Sequence, residues 1–299
     1  MTKGMWHGLL AYIFWGLFPI FWRQLSGVES FQIIAHRIVW SFLFLVLVLV
    51  VLQKRRNEKF VFPAWTVLKI YITSSILIGI NWFLYVWAVN SGHIVESSLG
   101  YFITPLLSVL FGVLFFKERM RPIQWISLGL AACGVLYLSF AIGAFPWIAI
   151  SLAISFGLYG LVKKLAPLSP MIGLSLETGF LVLPSLAFLL MRAYSGSSAF
   201  MHQGLTTDLL LICAGLVTTL PLLLFASAAR KIPLSMLGFL QYVSPSLQLF
   251  CGVFIYNEAF TSRQLMGYGF VWIGLLVFAL DGYQAYAQNV VQRGKVVKQ

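Results

Sequence analysis

The chain has 299 residues, 60% of them hydrophobic and 9% charged, with a mean hydropathy of +0.92. A soluble domain carries about 25% charged residues, so this chain cannot coat itself against water and lipid must be its solvent. A net charge of +12 would suit nucleic acid in a soluble protein, but here the cations sit between apolar segments, and no nucleic-acid partner is expected.

A bilayer core needs about 20 apolar residues per helix. Ten segments qualify: 5–22, 30–52, 67–89, 94–116, 122–140, 145–162, 169–190, 208–229, 232–256 and 263–280. An all-α membrane protein with ten transmembrane helices is therefore expected. The first segment follows a lysine but no small-residue cleavage site, so it reads as a retained helix. The longest connection, 193–207, is too short for a soluble domain.

Orientation follows from the loop cations. With the N-terminus inside, inner segments hold fifteen of the twenty Lys and Arg: Lys3, Lys54, Arg55, Arg56, Lys59, Lys117, Arg119, Arg121, Lys163, Lys164, Arg230, Lys231, Arg293, Lys295 and Lys298. The outer loops hold three, Arg23, Arg192 and Arg263. Both termini are expected in the cytoplasm.

Segments four and five reappear 140 residues later. Pro105, Leu107, Gly112, Val113, Glu118, Gln124, Gly129, Gly134 and Leu136 become Pro245, Leu247, Gly252, Val253, Glu258, Gln264, Gly269, Gly274 and Leu276. Two weaker alignments extend the match: Phe14 to Phe18 against Ser155 to Tyr159, and Asn81 to Ala88 against Pro221 to Ala228. An odd number of helices per copy makes the second enter the membrane from the opposite side. This predicts a five-plus-five inverted-topology repeat in one membrane domain, with halves 1–143 and 144–299.

Mid-segment prolines, Pro19, Pro105, Pro184, Pro221 and Pro245, each free one backbone carbonyl. The symmetry mates Pro105 and Pro245 are expected to bend helices four and nine at a central cavity. Pro122, Pro146, Pro170 and Pro233 fall in first turns, where proline is ordinary. Glu118 and Glu258 are expected to complement the dipoles of the helices that follow them. Gly129 with Cys133 and Gly269 with Ile273 are weak small-residue packing signals, and oligomeric state is left open. Cys133, Cys213 and Cys251 lie inside segments without metal-ligand spacing and read as packing residues; neither metal nor cofactor is expected.

Several stretches resemble the RarD branch of the EamA-type proteins in the drug/metabolite transporter superfamily. They are His36-Arg37 with Trp40-Ser41; Asn81-Trp82 with Trp87 to Asn90; Gly100 to Leu106; Phe156 with Tyr159 to Val162; Gly215 to Thr219 with Pro221-Leu222; and Gly238-Phe239 with Gln241-Tyr242 and Pro245. The chain departs from the branch at Thr104, where Asn is expected, and Ala35, where Thr is expected. The resemblance implies a ten-helix transporter of the bacterial inner membrane that exports small metabolites or drugs. The branch also carries a chloramphenicol-sensitivity label.

Ionisable groups inside a membrane are functional candidates by default. Arg37 and Glu177 occupy equivalent repeat positions, about 10 Å apart in depth by helical rise, so a direct pair is not required; Glu96 is a nearer partner for Arg37. Glu177, His36 and Glu96 are the proton-coupling candidates. Trp15, Arg37, Asn81, Trp82, Tyr85, Tyr101, Tyr159, Gln241 and Tyr242 form the expected substrate-binding set, suited to an amphipathic, aromatic or zwitterionic organic solute. The expected partners are that solute, membrane lipids and protons. A lipid flippase is the alternative. An intramembrane enzyme is disfavoured, because no GxSxG, HExxH or clustered His and Asp is present.

Overall fold

The computed structural model describes residues 2–56, 63–91, 93–142, 145–257 and 261–296. The helices are α1 (Lys3–Trp22), α2 (Ser30–Arg56), α3 (Trp65–Asn90), α4 (Ile94–Phe116), α5 (Pro122–Ile142), α6 (Trp147–Leu165), α7 (Pro170–Tyr194), α8 (Leu205–Ala229), α9 (Leu234–Gln241), α10 (Val243–Phe250) and α11 (Ser262–Val296). They supply ten candidate membrane spans. The chain is therefore an all-helical, multi-pass membrane protein. The expected division at 143/144 falls outside the described residues.

Local chemistry explains where the helices start. Thr2 accepts the Met5 N–H at the head of α1, and Ser169 accepts the Ile172 N–H ahead of Pro170 at the head of α7. Both are side-chain caps that satisfy an orphan amide. The repeated glutamines also cap: Gln124 Oε1 accepts the Arg121 N–H at 2.9 Å before α5, and Gln264 Oε1 accepts the Thr261 N–H at 2.9 Å before α11. This is the reach-back half of a capping box, made twice at positions 140 apart. Other contacts repeat at the same offset. Lys117 and Asn257 both take left-handed φ angles, 52° and 53°, after the fourth and ninth spans.

The helix packing is exchanged in the same way. A Cβ on Gly134 would stand 2.6 Å from the Gly267 carbonyl oxygen, and one on Gly274 would stand 2.7 Å from that of Ser127. α5 and α11 thus approach each other through mated glycines. Gly129 and Gly269, the expected packing glycines, have nothing within 4 Å of a Cβ, because the close face lies over a turn further along each helix. Gly16 packs on Leu247 of α10 as Gly157 packs on Leu107 of α4. Leu107 and Leu247 are repeat mates.

The two prolines behave differently. Pro245 has no N–H for the Gln241 carbonyl, the ladder lapses, and the ninth span divides into α9 and α10 around Tyr242, closing with a π-helical turn at Cys251–Ile255. α4 runs unbroken through Pro105. It is held between α6 and α9: Gly100 lies against the Ala149 backbone, and Gly238 of α9 lies against the Pro105 carbonyl. Of the two proline-bearing spans, the helix is interrupted in the ninth and continuous at Pro105 in the fourth.

The principal core is at the α1 N-terminal half, where α1 meets α6, α8 and α9. Tyr12, Tyr159, Phe225, Leu234 and Leu237 are fully buried there. Gly4 and Gly8 bring α1 against Ile232, Leu237 and Leu240. The opposite half of the bundle, where α1 ends and α2 begins, has a smaller core around Leu25, Val28, Ala199 and Leu211 and contains a cavity.

Candidate functional site

The cavity in that half has a volume of about 290 Å³. Its walls are helix faces at i, i+3, i+4 and i+7 spacing: Tyr12, Trp15, Pro19 and Trp22 on α1; Ile78, Asn81, Trp82 and Tyr85 on α3; Gln241, Ser244, Pro245 and Gln248 on the broken ninth span. Arg37 of α2, Gly100, Tyr101 and Thr104 of α4, and Leu152 and Phe156 of α6 complete it, with Phe18 and Leu222. Of the nine residues expected to bind solute, Trp15, Arg37, Asn81, Trp82, Tyr85, Tyr101 and Gln241 lie on this surface.

The prolines shape the wall through the carbonyls they free. Pro19 cannot bond the carbonyl of Trp15, and Gln248 Nε2 donates to that oxygen at 3.1 Å. The cross-link fastens α1 to α10 beside the cavity. Asn81 spends its amide on α6, donating at 3.0 Å to both the Leu152 carbonyl and Ser155 Oγ. With both amide hydrogens used, Oδ1 is the polar atom that Asn81, a lining residue, has left to offer, and it can only accept. Thr104 Oγ1 donates to the Gly100 carbonyl of its own helix at 2.7 Å, which spends its hydroxyl hydrogen along α4.

Arg37 is the cation of the cavity. Its guanidinium carbon lies 4.2 Å from the Trp82 ring centroid and 5.6 Å from that of Trp22. Such placement recovers part of the cost of burying charge. The Glu96 side chain, expected as its partner, lies outside the described residues, and Glu177 is elsewhere. His36 points away from the cavity and packs on Phe200, 5.0 Å between centroids. The 100° turn between neighbours on a helix divides the two residues between different surfaces.

Two expected lining residues are buried instead. Tyr242, at 1% exposure, sits at the α9–α10 break and packs towards Leu99, Phe102 and Ala149. Tyr159, at 0%, lies beneath the cavity in an aromatic floor: its ring stacks on Phe225 at 5.9 Å, and Phe156 and Trp15 reach Phe225 at 5.6 Å each. A sequence marks a polar aromatic without saying which way it turns, and these two turn into the packed interior.

Below the floor is an ion pair that sequence reasoning missed. Lys163 Nζ meets Glu177 Oε1 at 2.8 Å, with the side chains 2% and 1% exposed. Ser74 Oγ donates to the same oxygen, and Tyr159 OH donates to Oε2 at 3.2 Å. Ser75 Oγ donates to the Glu177 backbone carbonyl. Loop position alone makes Lys163 an inner-loop cation, but α6 extends to Leu165 and turns Lys163 into the core, while Lys164 reaches Glu118 and the Ile232 carbonyl. The available signal was position, since Lys163 follows Tyr159 by four residues and shares its helix face.

Glu118 also binds elsewhere than expected. Rather than serving α5, it crosses to the head of α9 and accepts the N–H groups of Leu234 and Ser235 and the Ser235 hydroxyl at 2.7–2.9 Å, with Lys164 at 3.2 Å. Burial alone would raise its carboxyl, but these donors outweigh it and hold it below the ordinary carboxylate range. The dipole argument applies to a helix more than 110 residues away. The Glu258 side chain lies outside the described residues.

A bundle of ten spans with a solute-sized chamber in one half and a tightly packed other half has the construction of a membrane transporter. The profile of the EamA-like transporter family matches residues 2–140 and again 145–280. The chain belongs to the EamA-like transporter family. It is similar to the "Uncharacterized transporter YojE" of Bacillus subtilis, at 42% identity over 93% of this chain and 94% of that one. It is also similar to "Protein RarD" of Escherichia coli, at 37% over 93% and 94%, and to "Chloramphenicol-sensitive protein RarD" of Pseudomonas aeruginosa, at 29% over 93% and 94%. A crystal structure sharing 17% identity superposes with a TM-score of 0.68, covering 93% of this chain and 98% of that one, which speaks to the fold alone.

Proposed function

We propose that the protein is a secondary transporter of the bacterial inner membrane that exports a small amphipathic, aromatic or zwitterionic organic solute by alternating access. The observation that carries this reading is the asymmetry of the bundle. The cavity lies between mid-depth and the end where α1 finishes, while an aromatic floor, the Lys163–Glu177 pair and the Glu118 bridge close the other end. With cytoplasmic termini this is an outward-facing state. The contacts exchanged at a 140-residue offset support two inverted halves, which could swap conformations and move the opening to the other face.

Transport is tested by counterflow. Proteoliposomes loaded with an unlabelled metabolite extract are expected to accumulate one of its water-soluble components in labelled form. Headgroup translocation without solute counterflow would instead identify a flippase, and an altered covalent product an enzyme.

Orientation is tested by labelling single cysteines after Cys133, Cys213 and Cys251 are replaced. Cysteine at Lys54 or Arg119, both exposed, is expected to react only from the cytoplasmic side, and cysteine at the exposed Ser197 only from outside. Reversed labelling at either end would remove the inverted arrangement. Lys163 is unsuitable for this purpose because it is buried.

A further inference from the structure

We infer that the cavity is built for an organic monoanion, a planar aromatic carboxylate bearing one hydrogen-bond donor, with Arg37 as its counter-charge; this rests on the transporter reading and names its substrate class. The charge balance of the cavity comes first. Glu29 pairs with Arg192, Glu118 with Lys164, Glu177 with Lys163 and Asp281 with Arg121, while Asp208 accepts the Met201 N–H. Among the described residues no acid lines the cavity or pairs with Arg37, and Arg37 Nε has no hydrogen-bond partner. The ring faces of Trp82 and Trp22 hold the guanidinium in place but accept none of its hydrogen bonds. A guanidinium held within a membrane span that finds no anion among the described residues is costly to keep, and its fork matches a carboxylate through two parallel bonds.

The remaining walls set the rest of the ligand. Trp15, Phe18 and Phe156 line the cavity with aromatic side chains, which suit a ring. Asn81 has spent its amide hydrogens on α6, so its Oδ1 accepts from the solute. The volume of about 290 Å³ is at the lower end of small-molecule pockets, about 300–1,000 Å³, and suits a small bicyclic acid. No described acid faces the cavity to receive an ammonium group, which favours a monoanion over a zwitterion or a cation.

The test is binding to the full-length protein in detergent, read by calorimetry, using indole-3-acetate, its neutral amide and tryptamine. The acid is expected to bind at least about tenfold more tightly than the amide, as for a charge-assisted bond, and tryptamine most weakly of the three. Arg37→Gln is expected to erase the difference between acid and amide, and Arg37→Lys to keep part of it. The wild-type comparison stands even if a variant fails to fold. Amide or amine binding as tightly as the acid, no binding of the acid, or a preference that survives Arg37→Gln would each overturn the assignment. Binding in detergent needs no translocation, so loss of the acid preference leaves the transport reading standing. Acid binding without counterflow would strike the transport reading alone.

Discussion

Lys163→Ala is expected to cost about 3–5 kcal/mol of stability, because it strands Glu177 as an unpaired charge in the interior. The carboxylate would keep Ser74 and Tyr159 as donors, yet two neutral hydrogen bonds do not replace a full counter-charge. Glu177→Gln should be damaging for the reciprocal reason, leaving the ammonium among the Tyr71 and Tyr159 rings at 6.0 and 5.6 Å. The double change Lys163→Met with Glu177→Gln removes both charges and should recover most of the loss, a coupling that a double-mutant cycle in thermal unfolding measures. If Lys163→Ala unfolded with the wild type, water would be reaching the pair and the closed end would not be closed. The same double variant bears on proton coupling, proposed at Glu177: solute exchange should persist while accumulation driven by a pH gradient is lost. Retained gradient-driven accumulation would leave the pair a purely structural fastening.

Gly215→Ala is expected to be almost as harmful, for a steric reason. A Cβ there would stand 2.6 Å from the Trp40 carbonyl carbon and 2.7 Å from the Ser41 nitrogen. Backbone cannot turn aside as a side-chain tip can, so α2 and α8 must separate. Separation also lengthens the bond from Ser41 Oγ to the Gly215 carbonyl, now 2.9 Å. Overpacking of about 1–3 kcal/mol and a lost buried hydrogen bond of about 1 kcal/mol together predict a loss of roughly 2–4 kcal/mol. Gly129→Ala is the matched control: nothing stands within 4 Å of its Cβ, so better helix propensity should leave stability unchanged or raised by up to about 1 kcal/mol. Both are read from melting temperatures in detergent. Indistinguishable variants would mean that α2 and α8 do not meet as closely as described.

Some of the site was legible because the membrane makes sequence unusually strict. Lipid satisfies no backbone group, so long apolar helices are forced, and ten spans follow from hydropathy alone. An arginine in such a span must be accommodated in protein, which is why Arg37 was found. Asn81, Trp82, Tyr85 and Gln241 stood out as polar or amphipathic groups in apolar surroundings. Their companions Tyr12, Phe18, Trp22 and Phe156 do not stand out, although their i+3, i+4 and i+7 spacing from Trp15 and Leu152 carries the signal, because rings on the lipid face have the same appearance in a sequence.

The amino-acid sequence by itself determined the solvent, the number of spans, the 140-residue duplication and the presence of charge at Arg37 and Glu177. These depend on composition, on hydrophobic run length and on short-range identity, none of which needs the packed bundle. Only the tertiary structure decided the partners. Glu177 is paired with Lys163 rather than Arg37, Glu118 caps α9 rather than α5, and Tyr159 lies under the cavity instead of lining it. Partner choice depends on which faces of distant helices meet and at what depth. One residue along a helix turns a side chain by 100°. That turn sends Lys163 to Glu177 in the core and Lys164 to Glu118 and the Ile232 carbonyl, and it puts Arg37 in the cavity and His36 against Phe200.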